Sequence, residues 1–184
     1  MPEEYDKANE SYETRIRTWF MDERIKHEDK TTPADEFRLV IDYPPAHPRP
    51  LKIELVQPRG RKLIRLGMAV LVNPQHFELM RQKDRVEINQ FVSDAMNAML
   101  SQPINFGWRM QSGIPNGWII QDSIYFDGLT QDRLFKTIQT IVRCARWMFG
   151  LHGRVLGIVP SSHLGSHEKP ETKKEESFFV DPYG

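Results

Sequence analysis

The stretch 37–72, FRLVIDYPPAHPRPLKIELVQPRGRKLIRLGMAVLV, decides the fold, because it holds three strand patterns with no helix between them. In its first part Phe37, Leu39, Ile41 and Tyr43 alternate with Arg38, Val40 and Asp42, the two-residue period of a strand with one buried face. The run PPAHPRP that follows lacks several backbone donors and cannot continue a ladder, so it is a loop. LKIELVQ reads as a second strand. After the turn PRGRK, Ile64, Leu66, Met68, Val70 and Val72 share one face of a third strand, joined to the second as a hairpin. Consecutive strands connected by short loops pair antiparallel.

Helices flank this core on both sides. Residues 12–23 place Ile16, Trp19 and Phe20 at helical spacing, facing inward, before DKTTPAD breaks the pattern. Asn73 and Pro74 form a helix start, with Asn as cap and Pro in the first turn. The helix that they open is broken near Lys83 and Asp84. It resumes through Ile88, Phe91, Val92, Ala95, Met99 and Leu100 and ends before Pro103. Phe106, Trp108 and Met110 alternate with Gly107, Arg109 and Gln111 in a fourth strand, SGIPNG supplies turn residues, and GWIIQDSIYFD is a fifth. Thr130 caps a last helix, and Leu129 before it is placed to staple against Leu134. Along that helix Leu134, Ile138, Ile141, Val142, Ala145, Met148 and Phe149 form a broad apolar face, with Arg133, Lys136, Arg143 and Arg146 largely opposite. The predicted order α-β-β-β-α-β-β-α is that of an α+β domain, an antiparallel sheet packed by helices.

The 25 basic and 25 acidic side chains balance, which argues against general affinity for nucleic acid or anionic lipid. Residues 1–10 carry a net charge of −3 and residues 160–184 a net of −2, so the body between them is basic by 5. We therefore divide the chain into an acidic N-terminal extension (1–10), a single domain (11–159) and a polar tail (160–184) ending in the apolar, aromatic motif SFFVDPYG. No apolar run approaches the roughly 20 residues of a spanning helix, the N-terminus does not read as a secretory signal, and one cysteine suits a reducing compartment. A cytoplasmic protein without membrane insertion is expected.

The element order resembles the type III secretion chaperone-like fold, in which a curved antiparallel sheet is packed by a first, a middle and a last helix. The stretches IRTWFMDE, FRLVIDY, LKIELVQP and IYFDGLTQDRLFKTIQTIVRCA are similar to an archaeal family of unknown function within that group, over about residues 12–157. The resemblance implies dimerisation and the holding of partner proteins.

No residue pattern announces catalysis. Cys144, between Arg143 and Ala145, reads as a small packed hydrophobe. His163 and His167 with His152 upstream lack the helical placement of a zinc pair and read as solvated, while His27, His47 and His76 are scattered through breaks and helix starts. QPRGRK has no phosphate-cradle spacing, so neither metal nor cofactor is expected. Asp122 interrupts the apolar set Trp118, Ile120, Ile124 and Phe126. Three readings fit that position: a bulge that turns it outward, a structural hydrogen bond that holds it, or an apolar setting that raises its pKa. With no second residue to complete a mechanism, the chain is not expected to be an enzyme. The reverse face of the third strand, Leu63, Arg65, Gly67, Ala69 and Leu71, is small and apolar enough to accept a partner, and a helix of the same chain is the more expected occupant.

The function expected is that of a protein-interaction module, a small chaperone or adaptor. It homodimerises through the helix 86–100 or a sheet edge and holds an unidentified partner protein through Trp108, Trp118 and the C-terminal Phe178, Phe179 and Tyr183. The alternative is an RNA- or ribosome-associated factor using Arg59, Arg61, Lys62, Arg143 and Arg146.

Overall fold

Local signals set each boundary in the computed structural model, which describes residues 11–158. Helix α1 (Tyr12–Asp22) starts where Ser11 accepts the Thr14 N–H. Strands β1 (His27–Asp29), β2 (Asp35–Tyr43), β3 (Leu51–Pro58) and β4 (Leu63–Leu71) follow. Helix α2 (Pro74–Arg81) is capped by Asn73, which accepts the Gln75 N–H, and has Pro74 at its first position. Its neighbour α3 (Arg85–Leu100) begins at a capping box, Glu87 N–H to Asp84 and Asp84 N–H to Glu87, so the expected break at Lys83 and Asp84 separates two helices. Strands β5 (Asn105–Gln111) and β6 (Ile114–Tyr125) precede α4 (Gln131–Val155), whose cap Thr130 accepts the Arg133 N–H.

The six strands form one antiparallel sheet in the order β1-β2-β3-β4-β6-β5. The predicted α+β architecture is the one found, with the three-residue β1 added at one edge. The β5–β6 turn is tighter than SGIPNG suggested: Ser112 and Gly113, both at positive φ, make it alone, and Ile114, Pro115 and Asn116 already belong to β6. Pro115 is tolerated there because the register shifts opposite Arg109 and Met110.

One face of the sheet carries Phe37, Leu39, Ile41, Ile53, Leu55, Ile64, Leu66, Met68, Trp118, Ile120 and Ile124 into the core. Helix α4, about 37 Å long at 1.5 Å per residue, lays Leu134, Ile138, Ile141, Ala145 and Met148 on them. Helix α1 adds Ile16 and Phe20, α2 adds Met80, and α3 adds Ile88, Phe91, Ala95 and Met99 to the same cluster. Each fully buried Leu, Ile or Phe contributes roughly 1.5–3 kcal/mol.

The buried parts of the helices' apolar stripes thus all lie on one face of the sheet, and this corrects the expectation for the reverse side of β4. Ala69 is exposed and Leu71 is 55% exposed, and no helix among the described residues lies over them. Close approach replaces side-chain packing there: a Cβ on Gly67 would stand 2.8 Å from the Ile120 carbonyl, and one on Gly117 2.4 Å from the Val70 carbonyl.

Candidate functional site

Trp118, expected among partner-contacting aromatics, is 2% exposed and sits at the centre of an aromatic cluster inside the molecule. Its ring meets Trp108 edge-on at 6.4 Å, Phe149 at 5.7 Å and His152 at 5.6 Å. Phe91 of α3 closes the cluster against Trp108 and His152. Trp118 points to the face that the helices cover, so it is unavailable to a partner. Trp108 is only half-buried.

His152 is the residue that sequence reasoning misplaced. Grouped with His163 and His167, it instead continues the inward stripe of α4, four residues beyond Met148, and that spacing was the available signal. It is 7% exposed, with the His76 ring 5.6 Å away. Burial, with His76 secondary, pulls its pKa down to about 4, so the ring is neutral near pH 7. Its Nε2 and the Nε1 atoms of Trp108 and Trp118 have no hydrogen-bond partner among the described residues.

A groove runs along α4 beside the α3–β5 turn. One hollow, about 320 Å3, is lined by Arg133, Lys136, Thr137, Thr140 and Arg143 opposite Pro103, with Asp122 at its side. A second, about 290 Å3, is lined by Met99, Ser101 and Gln102 against Cys144 and Trp147. They meet at Arg143, which reaches across to Gln102 at 3.5 Å. One half of the groove is basic and the other mainly apolar.

Asp122 stands in the basic half. The β4–β6 register is unbroken from Leu63 opposite Tyr125 to Leu71 opposite Gly117, so no bulge turns the residue out. A structural role holds it instead: it accepts from the Ser123 N–H at 2.8 Å and from Arg133 at 3.3 Å. Burial raises its pKa against those two partners. No histidine lines this hollow. Cys144 is buried, and burial pushes its thiol pKa up despite Arg143 beside it.

The reverse face of the sheet has a polar centre and an apolar margin. Arg38 bridges Asp35 at 3.0 Å and Glu54 at 3.1 Å. Burial pushes the Asp35 carboxyl up, and hydrogen bonds from Arg38 and Thr32 outweigh it, leaving the pKa below the ordinary value. Ala69 and Leu71, half-buried Ile119 and exposed Tyr125 lie beyond.

The basic residues divide into two groups. Arg59, Arg61 and Lys62 are exposed in the β3–β4 turn, where the Lys62 carbonyl accepts the Phe126 N–H just before α4. Arg143 and Arg146 lie farther along that helix, about 18 and 22 Å from its first residue. The structure does not bring the two groups together. Phe178, Phe179, Tyr183, His163 and His167 lie outside the described residues. Among the described residues no three His, Cys, Asp or Glu side chains are grouped to hold a metal, and no helix is long and apolar enough to cross a membrane.

These features define an α+β protein with helices on one face of a six-stranded antiparallel sheet and a cleft beside its last helix. The chain belongs to the family of uncharacterized conserved proteins DUF2299, whose model matches residues 12–151. Its structure is similar to that of an uncharacterized protein from Methanothermobacter thermautotrophicus, with a TM-score of 0.70 and 23% identity over 78% of this chain and 97% of that one. YbjN from E. coli aligns with a TM-score of 0.46 and 11% identity, over 76% and 89% of the two chains. The archaeal likeness shows the fold. No curated protein matches the chain.

Proposed function

We propose that the protein is a cytoplasmic protein-interaction module, a small chaperone or adaptor, which acts by burying surface and uses neither cofactor nor covalent chemistry. The observation that carries this reading is the sheet face over which no helix lies among the described residues, with Leu71 and Tyr125 exposed upon it. Six strands of 3 to 12 residues, about 4.8 Å apart and rising about 3.3 Å per residue, give a face on the order of 700 Å2, close to the ~800 Å2 that one partner contributes to a standard interface. The element order, which on sequence alone resembles the secretion chaperone-like fold, agrees with the same reading. For homodimerisation, β5 offers an open sheet edge, and α3 turns Val86 and Leu100 to solvent, each about three-quarters exposed. An RNA-binding role would draw on one continuous basic surface, and the gap between the β3–β4 turn and Arg143 weighs against it.

The test is affinity purification of the full chain from its native cells at low and moderate salt, with and without nuclease. The double variant Ala69→Arg, Leu71→Glu is run beside it. A stoichiometric protein partner should survive nuclease and salt and be lost from the variant at unchanged melting temperature. Equal capture by the variant refutes the sheet-face reading, and loss of all partners on nuclease treatment shifts the function to RNA.

A further inference from the structure

Two histidines and two methionines are brought together where α2 meets the last turns of α4. His76 with Met80 on α2, and Met148 with His152 on α4, are i, i+4 pairs, which a helix sets on one face with Cβ atoms about 5–6 Å apart. Met80 and Met148 are both fully buried in the core cluster. The His76 and His152 rings stand 5.6 Å apart across the two helices. We propose that these four side chains form a site for one soft monovalent metal ion of the Cu(I) class, held by the two imidazoles and completed by a thioether.

The spacing fits a shared ion. With nitrogen–metal bonds of about 2.0–2.1 Å and a ring nitrogen about 1.2 Å from its centroid, two imidazoles at a trigonal angle on one ion have centroids about 5.5 Å apart. Buried polar atoms nearly always have a partner, yet the Nε2 of His152 has none among the described residues. Burial keeps that ring neutral near pH 7, so its lone pair is available to a metal. His76 is half-buried, which leaves a route from solvent. The surroundings select the ion. The rings of Phe91 and Trp118 pack against His152 and supply no counter-charge. The cost of taking an ion out of water rises with the square of its charge, so a monovalent ion is favoured there over a divalent one. Among the described residues no three His, Cys, Asp or Glu side chains are grouped, and it is the thioethers that complete the set. Imidazole suits several transition metals, whereas thioether selects Cu(I), so the two ligand types together point to copper in its reduced state. The bound ion takes no part in partner capture, so the site stands or falls apart from the sheet-face reading.

The test uses the full, untagged chain carrying Cys144→Ala, since a thiol also takes Cu(I). Cu(I) is supplied under nitrogen in competition with the chelator bicinchoninate, and Zn(II) is titrated in parallel. One Cu(I) should bind per chain, shift the 15N resonances of the His76 and His152 rings and raise the melting temperature, with Zn(II) about ten-fold weaker. His76→Gln and His152→Phe should each lower the Cu(I) affinity about 100-fold, the upper end of what even a supporting partner of a metal ligand contributes. Met80→Leu with Met148→Leu conserves core volume and should lower it about ten-fold, which keeps the test open should a histidine variant fail to fold. No one-to-one complex, an affinity indifferent to either histidine variant or to the methionine pair, or binding of Zn(II) as tight as that of Cu(I) overturns the proposal.

Discussion

Replacing His152 by phenylalanine should flatten the acid limb of the protein's stability profile. In the folded chain the imidazole lies among Phe91, Trp118 and His76, and burial lowers its pKa from 6.5 to about 4. The unfolded chain binds that proton near pH 6.5 and the folded chain only near 4. Stability is therefore fully present above the unfolded value and falls as the pH drops between the two. For a group shifted this far, the loss between pH 7 and 4.5 is about 2 kcal/mol, or roughly 4–8 °C in melting temperature for a chain of this size. Because the Nε2 of His152 has no partner among the described residues, phenylalanine strands no hydrogen bond there. Melting curves of both proteins from pH 7.5 to 4.5 should diverge in slope, the wild type losing the additional ~2 kcal/mol. Asp29, with a pKa of about 2, acts below this window, and Asp122, with a raised pKa, acts in the opposite sense in both proteins. Parallel profiles would refute the burial argument.

Two further experiments test the sheet and the last helix. Gly117→Ala places a methyl 2.4 Å from the Val70 carbonyl, a backbone atom that cannot swing aside. Urea unfolding should show a loss of about 1–3 kcal/mol. Gly107→Ala, with nothing within 4 Å, should stay within ~0.5 kcal/mol, and equal effects would contradict the close approach of β4 and β6. Buried Cys144, its thiol pKa raised, should react with Ellman's reagent only as the fold opens, so that the rate climbs with sub-denaturing urea. A fast reaction in buffer alone would contradict that burial.

What the sequence determined by itself was everything local. Alternation at Phe37, Leu39 and Ile41 fixes a strand and the residues that share its face. Caps at Asn73, Asp84 and Thr130 place helix starts because a side chain a few atoms away satisfies the first backbone donors. The short β1 left no such trace, since three residues are too few to show a period.

Only the tertiary structure decided which faces meet. Period two groups Trp118 with Ile120 and Ile124, but whether that face meets helices or solvent depends on where α4 lies across the sheet. The same placement buries His152, leaves Leu71 and Tyr125 exposed, and separates Arg143 from the β3–β4 turn. It also opens the groove between Cys144 and Met99, residues far apart in the chain. A side chain's direction follows from its own backbone, whereas its neighbours follow from the packing of elements that no local pattern encodes.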